Sequence, residues 1–171
     1  MKKISTWALV LTAAAFLLAS CADKASDQQK KPVSVTQDEV TANKAAGEAF
    51  MAQIATQEGV GRTASGLCYR VVENGSGEVP TAHDKVIVHY RGTLIDGTVF
   101  DSSYDRGTPA VFGVSDVIPG WTEALCMMPV DSKWILYIPQ QLAYGSQRVG
   151  KDILPYSAMI FEVELLGIVK D

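Results

Sequence analysis

Within the segment VHYRGTLIDGTVFDSS, residues 88–103, three side chains stand out for the chemistry they could share: Tyr90, Phe100 and Asp101. A phenol, an apolar ring and a carboxylate can bind and orient a ligand, but cleaving a bond needs more. The chain has two histidines, His83 and His89, and no Ser/His/Asp set, no Cys/His ligand spacing and no glycine-rich loop between strand and helix. Hydrolysis, metal catalysis and nucleotide chemistry therefore lack their parts. His89 precedes Tyr90, so on a strand it points to the opposite face. It reads as a surface or internally satisfied histidine.

A reaction that breaks no covalent bond needs none of those parts. Rotation about an X–Pro amide is such a reaction. Its barrier of about 18–20 kcal/mol comes from amide resonance, and uncatalysed exchange takes roughly tens to hundreds of seconds. The twisted amide has lost that resonance and separates less charge across C–N. A dry aromatic cavity suits it better than water does, and a few donors can orient the flanking backbone.

Strands must hold such residues in place. Val86, Val88 and Tyr90 share one face of residues 85–94, and Lys85, His89 and Arg91 share the other, which is the period of a half-buried strand. Asp96-Gly97 is a favoured hairpin pair, because both residues can adopt positive φ, and residues 98–103 return. Residues 67–73, 133–138 and 158–168 read as further strands; in the last, Phe161, Val163 and Leu165 alternate with Glu162 and Glu164. Pro119-Gly120 introduces a short helix over 121–128. No internal repeat is present. These elements sum to an α+β domain, an antiparallel sheet with one helix on its face. Ahead of it, Thr36-Gln37-Asp38-Glu39 fits a capping box. It opens a helix over 37–57 with Val40, Ala46, Ala49, Phe50 and Ile54 as a narrow apolar stripe and Gly59 and Gly61 as stops.

Several stretches in order carry a family likeness: Val88-His89-Tyr90-x-Gly92, Asp96-Gly97-x-x-Phe100-Asp101-Ser102-Ser103, Val117-Ile118-x-Gly120-Trp121, Ala143-Tyr144-Gly145 and Phe161-Glu162-Val163-Glu164-Leu165-Leu166. Together they resemble the FKBP family of peptidyl-prolyl cis-trans isomerases. Thr63-Ala64-Ser65-Gly66-Leu67-x-Tyr69 resembles the lead-in of its bacterial Mip- and FkpA-like branch. The resemblance implies a half-wrapped antiparallel sheet of five or six strands around the short helix, and no cofactor. It implies Trp121 as the floor under the proline ring, with Tyr90, Phe100, Phe112, Val117, Ile153 and Phe161 as walls. The Ile118 N–H and the Tyr144 hydroxyl would bond substrate carbonyls, and Asp101 would lie at the rim, held by Tyr90 and Arg106. The implied partners are proline-containing polypeptides and macrolides of the tacrolimus and rapamycin type. Ala110 and Leu154 depart from the common family pattern on one side of the pocket, which bears on substrate preference and macrolide binding. A chaperone or adaptor with little catalysis is the alternative use of the same fold.

Composition sets the surroundings. Lys2 and Lys3 precede an apolar run over 7–18, too short to span a bilayer and suited to a signal peptide. Leu18-Ala19-Ser20-Cys21 resembles a bacterial lipobox, which marks Cys21 for acylation; each acyl methylene buried in a membrane adds about 0.8 kcal/mol. The expected order is a lipoprotein signal over 1–20, a tether over 21–36, a helix over 37–60 and the isomerase domain over 61–171. The expected location is the bacterial cell envelope, lipid-anchored at the outer membrane and facing the periplasm or the surface. Loss of Lys2 and Lys3 with the leader takes the formal charge from -4 to -6, which argues against nucleic acid as a partner. Cys68 and Cys126 remain as a disulfide or as two separate thiols. The first helix packs on its own domain or on a second copy, and its short length favours a monomer or a weak dimer. Labelled fatty acid is expected to enter the full-length chain and to be absent from Cys21→Ser; label retained by that variant would remove the lipobox reading.

Overall fold

A computed structural model describes residues 35–170; the leader, Cys21 and most of the tether lie outside them. The capping box is present as expected. The Thr36 hydroxyl accepts from the Glu39 N–H at 3.2 Å, and the Thr36 N–H donates to the Glu39 carboxylate at 2.7 Å. It opens α1, Gln37–Ile54. The helix ends earlier than its composition suggests, and Gly61 does not stop it but begins β1, Gly61–Arg62. There follow β2, Cys68–Glu73, β3, Lys85–Leu94, and β4, Val99–Ser102. Next come the one-turn α2, Ser103–Arg106, and β5, Ala110–Gly113. The chain closes with α3, Pro119–Leu125, β6, Ser132–Ile138, and β7, Met159–Val169.

The strands form one antiparallel sheet in the order β1-β2-β6-β7-β3-β4, with β5 also paired to β3. It has seven strands rather than five or six. The additions are the two-residue β1 and the four-residue β5, each too short for an alternating pattern to register. β7 lies between β3 and β6 and binds both along most of its length. Its alternation therefore has the Phe161, Val163 and Leu165 side buried, as do Val86, Val88 and Tyr90 on β3. Trp121, Ala124 and Leu125 of α3, with Met128 beyond it, complete this core from above that face.

The opposite face is covered by α1. Ile54, Phe50 and Met51 pack with Cys68, Tyr137, Ile135 and Ile160, so Tyr137 is buried although its neighbours Leu136 and Ile138 serve the other core. The helix thus packs on its own domain through part of the stripe read from sequence: Phe50 and Ile54 lie in the seam, whereas Ala46 and Ala49 are exposed. The buried seam includes Gly47, against Ala158, and Asn43. Asn43 donates to the Pro155 carbonyl at 2.7 Å and the Ser157 hydroxyl at 3.1 Å. A polar residue on the docking face is invisible to a search for apolar spacing. Cys68 and Cys126 are free thiols, one buried and one exposed, and burial pushes the Cys68 thiol up from its ordinary value. Among the described residues no helix is long and apolar enough to cross a membrane.

Asn43→Ala removes the donor to two acceptors at this seam. It is expected to cost about 0.5–1.5 kcal/mol and to raise amide exchange in α1 ahead of the sheet. Unchanged melting together with unchanged α1 exchange would show that these bonds do not hold the helix.

Candidate functional site

The sheet and α3 leave one cleft of about 450 Å³ on the α3 side. It is lined by Tyr90, Asp101, Phe112, Asp116, Val117, Ile118, Trp121, Tyr144 and Phe161. Trp121 lies at its base, only 3% exposed. Three rings meet the indole edge-on: Tyr90 at 5.3 Å and 88°, Phe112 at 5.9 Å and 89°, Phe161 at 5.3 Å and 86°. The walls come from β3, β5 and β7 and the floor from α3. The result is an apolar box closed on several sides and open at the rim.

The rim carries polar groups of two kinds. Asp101, on β4, is paired through Gly92 to the strand of Tyr90. The Tyr90 hydroxyl donates to Asp101 Oδ2 at 2.5 Å. Arg106, brought back by the single turn of α2, donates to Asp101 Oδ1 and, at 2.9 Å, to the Tyr90 hydroxyl. The Ser102 side chain caps that turn by accepting from the Asp105 N–H. Burial pushes the Asp101 carboxyl up, but the Tyr90 and Arg106 hydrogen bonds outweigh it and hold the group below its ordinary value. Burial, then the bond to Asp101, raises the Tyr90 phenol, so Tyr90 remains a donor at neutral pH. The second kind is uncommitted. The Ile118 N–H and the Tyr144 hydroxyl have no hydrogen-bond partner among the described residues, and both residues line the cleft.

The structure brings together eight of the ten residues expected from sequence. The other two, Phe100 and Ile153, are not among the residues that line this cleft. Phe100 is half-buried and meets Phe161 edge-on at 5.4 Å. A Cβ on Gly92 would come within 2.6 Å of the Phe100 ring and 2.7 Å of Phe161, so glycine is what lets the two rings close over the strand. Ile153 is 6% exposed in the core, its backbone bridged to Val149. His89 faces away from the cleft, bonded through Nδ1 to Ser103 at 2.9 Å and stacked on Tyr104, the internally satisfied histidine that the strand alternation suggests. Asp116 escaped the sequence reading. The available signal was its place beside Val117-Ile118, in the turn that feeds α3.

Comparison with known proteins points one way. Residues 76–166 match the family described as FKBP-type peptidyl-prolyl cis-trans isomerase, and residues 11–71 match the domain amino terminal to FKBP-type peptidyl-prolyl isomerase. The FKBP-type 22 kDa peptidyl-prolyl cis-trans isomerase of Escherichia coli is 56% identical over 124 residues, covering 72% of this chain and 60% of that protein. The outer membrane protein MIP of Legionella longbeachae is 48% identical over 128 residues, covering 75% of this chain and 55% of that one. The chain thus spans little more than half the length of these relatives. The crystal structure of a peptidyl-prolyl cis-trans isomerase from Pseudomonas syringae superposes with a TM-score of 0.73 at 37% identity, over 80% of this chain and all of that one.

Asp101 holds its proton less readily in the folded chain than in the unfolded one. It therefore contributes stability above the unfolded value, and that contribution disappears as pH falls below about 4 and through the depressed folded value. Urea midpoints from neutral to acid pH are expected to fall less steeply for Asp101→Asn than for wild type. Parallel curves would mean that the Tyr90 and Arg106 bonds do not favour the carboxylate.

Proposed function

The chain belongs to the FKBP-type peptidyl-prolyl cis-trans isomerase family, and on that premise we propose that it accelerates rotation of X–Pro bonds in polypeptides of the cell envelope. The observation that carries the reading is the box of three rings set perpendicular to a buried indole, with uncommitted donors at its mouth.

In this reading the proline ring rests on Trp121 between Tyr90, Phe112 and Phe161. The Ile118 N–H and the Tyr144 hydroxyl bond substrate carbonyls on either side of the reacting amide and keep the flanking backbone still while the amide turns. The twisted amide, with resonance lost and charge separation reduced, is less dependent on water than the planar form, so apolar walls favour it. Both Asp101 oxygens are already engaged. That supports a role in orienting Tyr90 over one as a free negative charge beside the amide. Phe100, edge-on to Phe161, and Ile153 complete the walls.

An envelope location follows the relative named outer membrane protein MIP, and a lipid anchor at Cys21 would hold the domain there. With α1 already docked on its own sheet, a monomer or weak dimer is the reading that fits. Macrolides of the tacrolimus and rapamycin type are ligands the same cleft could take, since Ala110 and Leu154 leave the described lining intact.

The test is a proline-isomer assay on the full-length chain in mild detergent. Cis-to-trans conversion of short X–Pro peptides is expected to accelerate. Trp121→Ala should lower kcat/KM by about tenfold or more, equivalent to about 1.4 kcal/mol of lost transition-state stabilisation. Tyr144→Phe should cost about 1–3 kcal/mol in the same quantity. A folded wild-type chain that leaves the thermal rate unchanged on several peptides would replace the enzyme with the adaptor.

A further inference from the structure

The cleft holds a charge for which rotation of an amide has no use. Two carboxylates line it, Asp101 and Asp116. Asp101 is compensated by Arg106 and bonded by Tyr90. Asp116 is exposed, and its carboxylate has no cation and no donor partner among the described residues. No lysine or arginine lines the cleft, so the uncompensated charge at its mouth is that of Asp116.

The placement of this anion is built into the turn. The Asp116 N–H donates to the Gly113 carbonyl at 3.0 Å, and the side chain folds back over Gly113. A Cβ there would lie 2.2 Å from Asp116 Oδ2 and 3.0 Å from its Cγ. Any other residue at 113 would displace the carboxylate. The same turn continues into Val117 and Ile118, which line the cleft, so the charge sits beside the wall that a bound peptide would follow. Beside apolar walls a fixed charge acts more strongly than in open water.

Resting on the isomerase reading, we propose that Asp116 is a specificity-determining residue that selects X–Pro segments carrying lysine or arginine next to the proline-containing dipeptide. The contact is made equally by planar and twisted amide. It therefore acts through KM and leaves kcat alone. Being exposed, it weakens as salt rises.

The experiment uses the full-length chain in neutral detergent and X–Pro peptides that differ only in Lys, Gln or Glu at the flanking positions. At low salt the Lys peptide is expected to exceed the Glu peptide in kcat/KM by about two- to fivefold, with the difference in KM. The ratio should approach one at high salt and in Asp116→Asn, and persist in Asp116→Glu. A ratio that is the same in wild type and Asp116→Asn, or a preference indifferent to salt, would overturn the proposal. If wild type turns over no peptide, it is the isomerase reading that fails. Peptide affinities followed by tryptophan fluorescence then decide the charge preference alone: a Lys-over-Glu ratio lost in Asp116→Asn supports it, and equal affinities in wild type refute it.

Discussion

The edge-on contacts of Tyr90, Phe112 and Phe161 with Trp121 are the constraint on which the cleft depends. Ring quadrupoles favour this arrangement, by about 0.5–1.5 kcal/mol per pair beyond the area buried. The rings come from three strands and the indole from α3, so the aromatic box is complete only with the helix seated on the assembled sheet. The same side chains serve the core and the box. A binding floor made from a residue 3% exposed is also a rigid floor, because a close-packed core resists small displacements.

The Asp101 side of the cleft is organised differently, by contacts close in sequence. One hairpin, β3–β4, and one turn, α2, bring Tyr90, Asp101 and Arg106 together. Ser103, fully buried, joins this layer to the strand: its hydroxyl accepts from the Tyr90 N–H at 2.7 Å and contacts the Tyr90 carbonyl and His89 Nδ1. A buried serine is satisfied by such a network. Tyr90 is consequently fixed at its backbone by Ser103, at its hydroxyl by Asp101 and Arg106, and at its ring by Trp121. A wall held at three points keeps the orientation that a binding site requires.

This division explains what could be read from sequence. β3 and β7 were legible because one face is buried and the other wet, which writes a period of two into the residues. The pocket aromatics were legible through motifs whose spacing the family keeps. β5 and α2 were not, since four residues hold only two strand repeats or a single helical turn, too few to stand out from their surroundings. Phe100 and Ile153 are not among the residues that line the cleft of about 450 Å³. Sequence identifies an apolar residue near a site but not how closely it packs on its neighbour, and here Gly92 is what admits the contact of Phe100 with Phe161. The seam of α1 was legible at Phe50 and Ile54 but not at its N-terminal half, where the contacts are a hydrogen bond from Asn43 and a close approach at a glycine, Gly47.

The loop that carries Tyr144 packs on the main core through Leu142, Ala143, Tyr144 and Ile153, and it is restrained from a second side as well. Its return passes through Tyr156, a non-glycine residue at φ 63°, a conformation that costs about 1–2 kcal/mol for a side chain of this kind. Contacts on both sides offset that cost. The Tyr156 N–H donates to the Gly145 carbonyl at 2.7 Å, next to Tyr144. Asn43 bonds the residues flanking Tyr156, and Lys44 lies 5.3 Å from its ring centroid. The loop is therefore closed on itself at Gly145 and Tyr156 and closed on α1 at Pro155 and Ser157. Only the Tyr156–Gly145 bond and a short stretch of backbone separate the seam of α1 from Tyr144, whereas Trp121 sits across the sheet in a core that α1 does not enter. The floor of the cleft is thus held by the sheet and α3, and its Tyr144 rim both by that core and, through the turn at Tyr156, by the N-terminal helix.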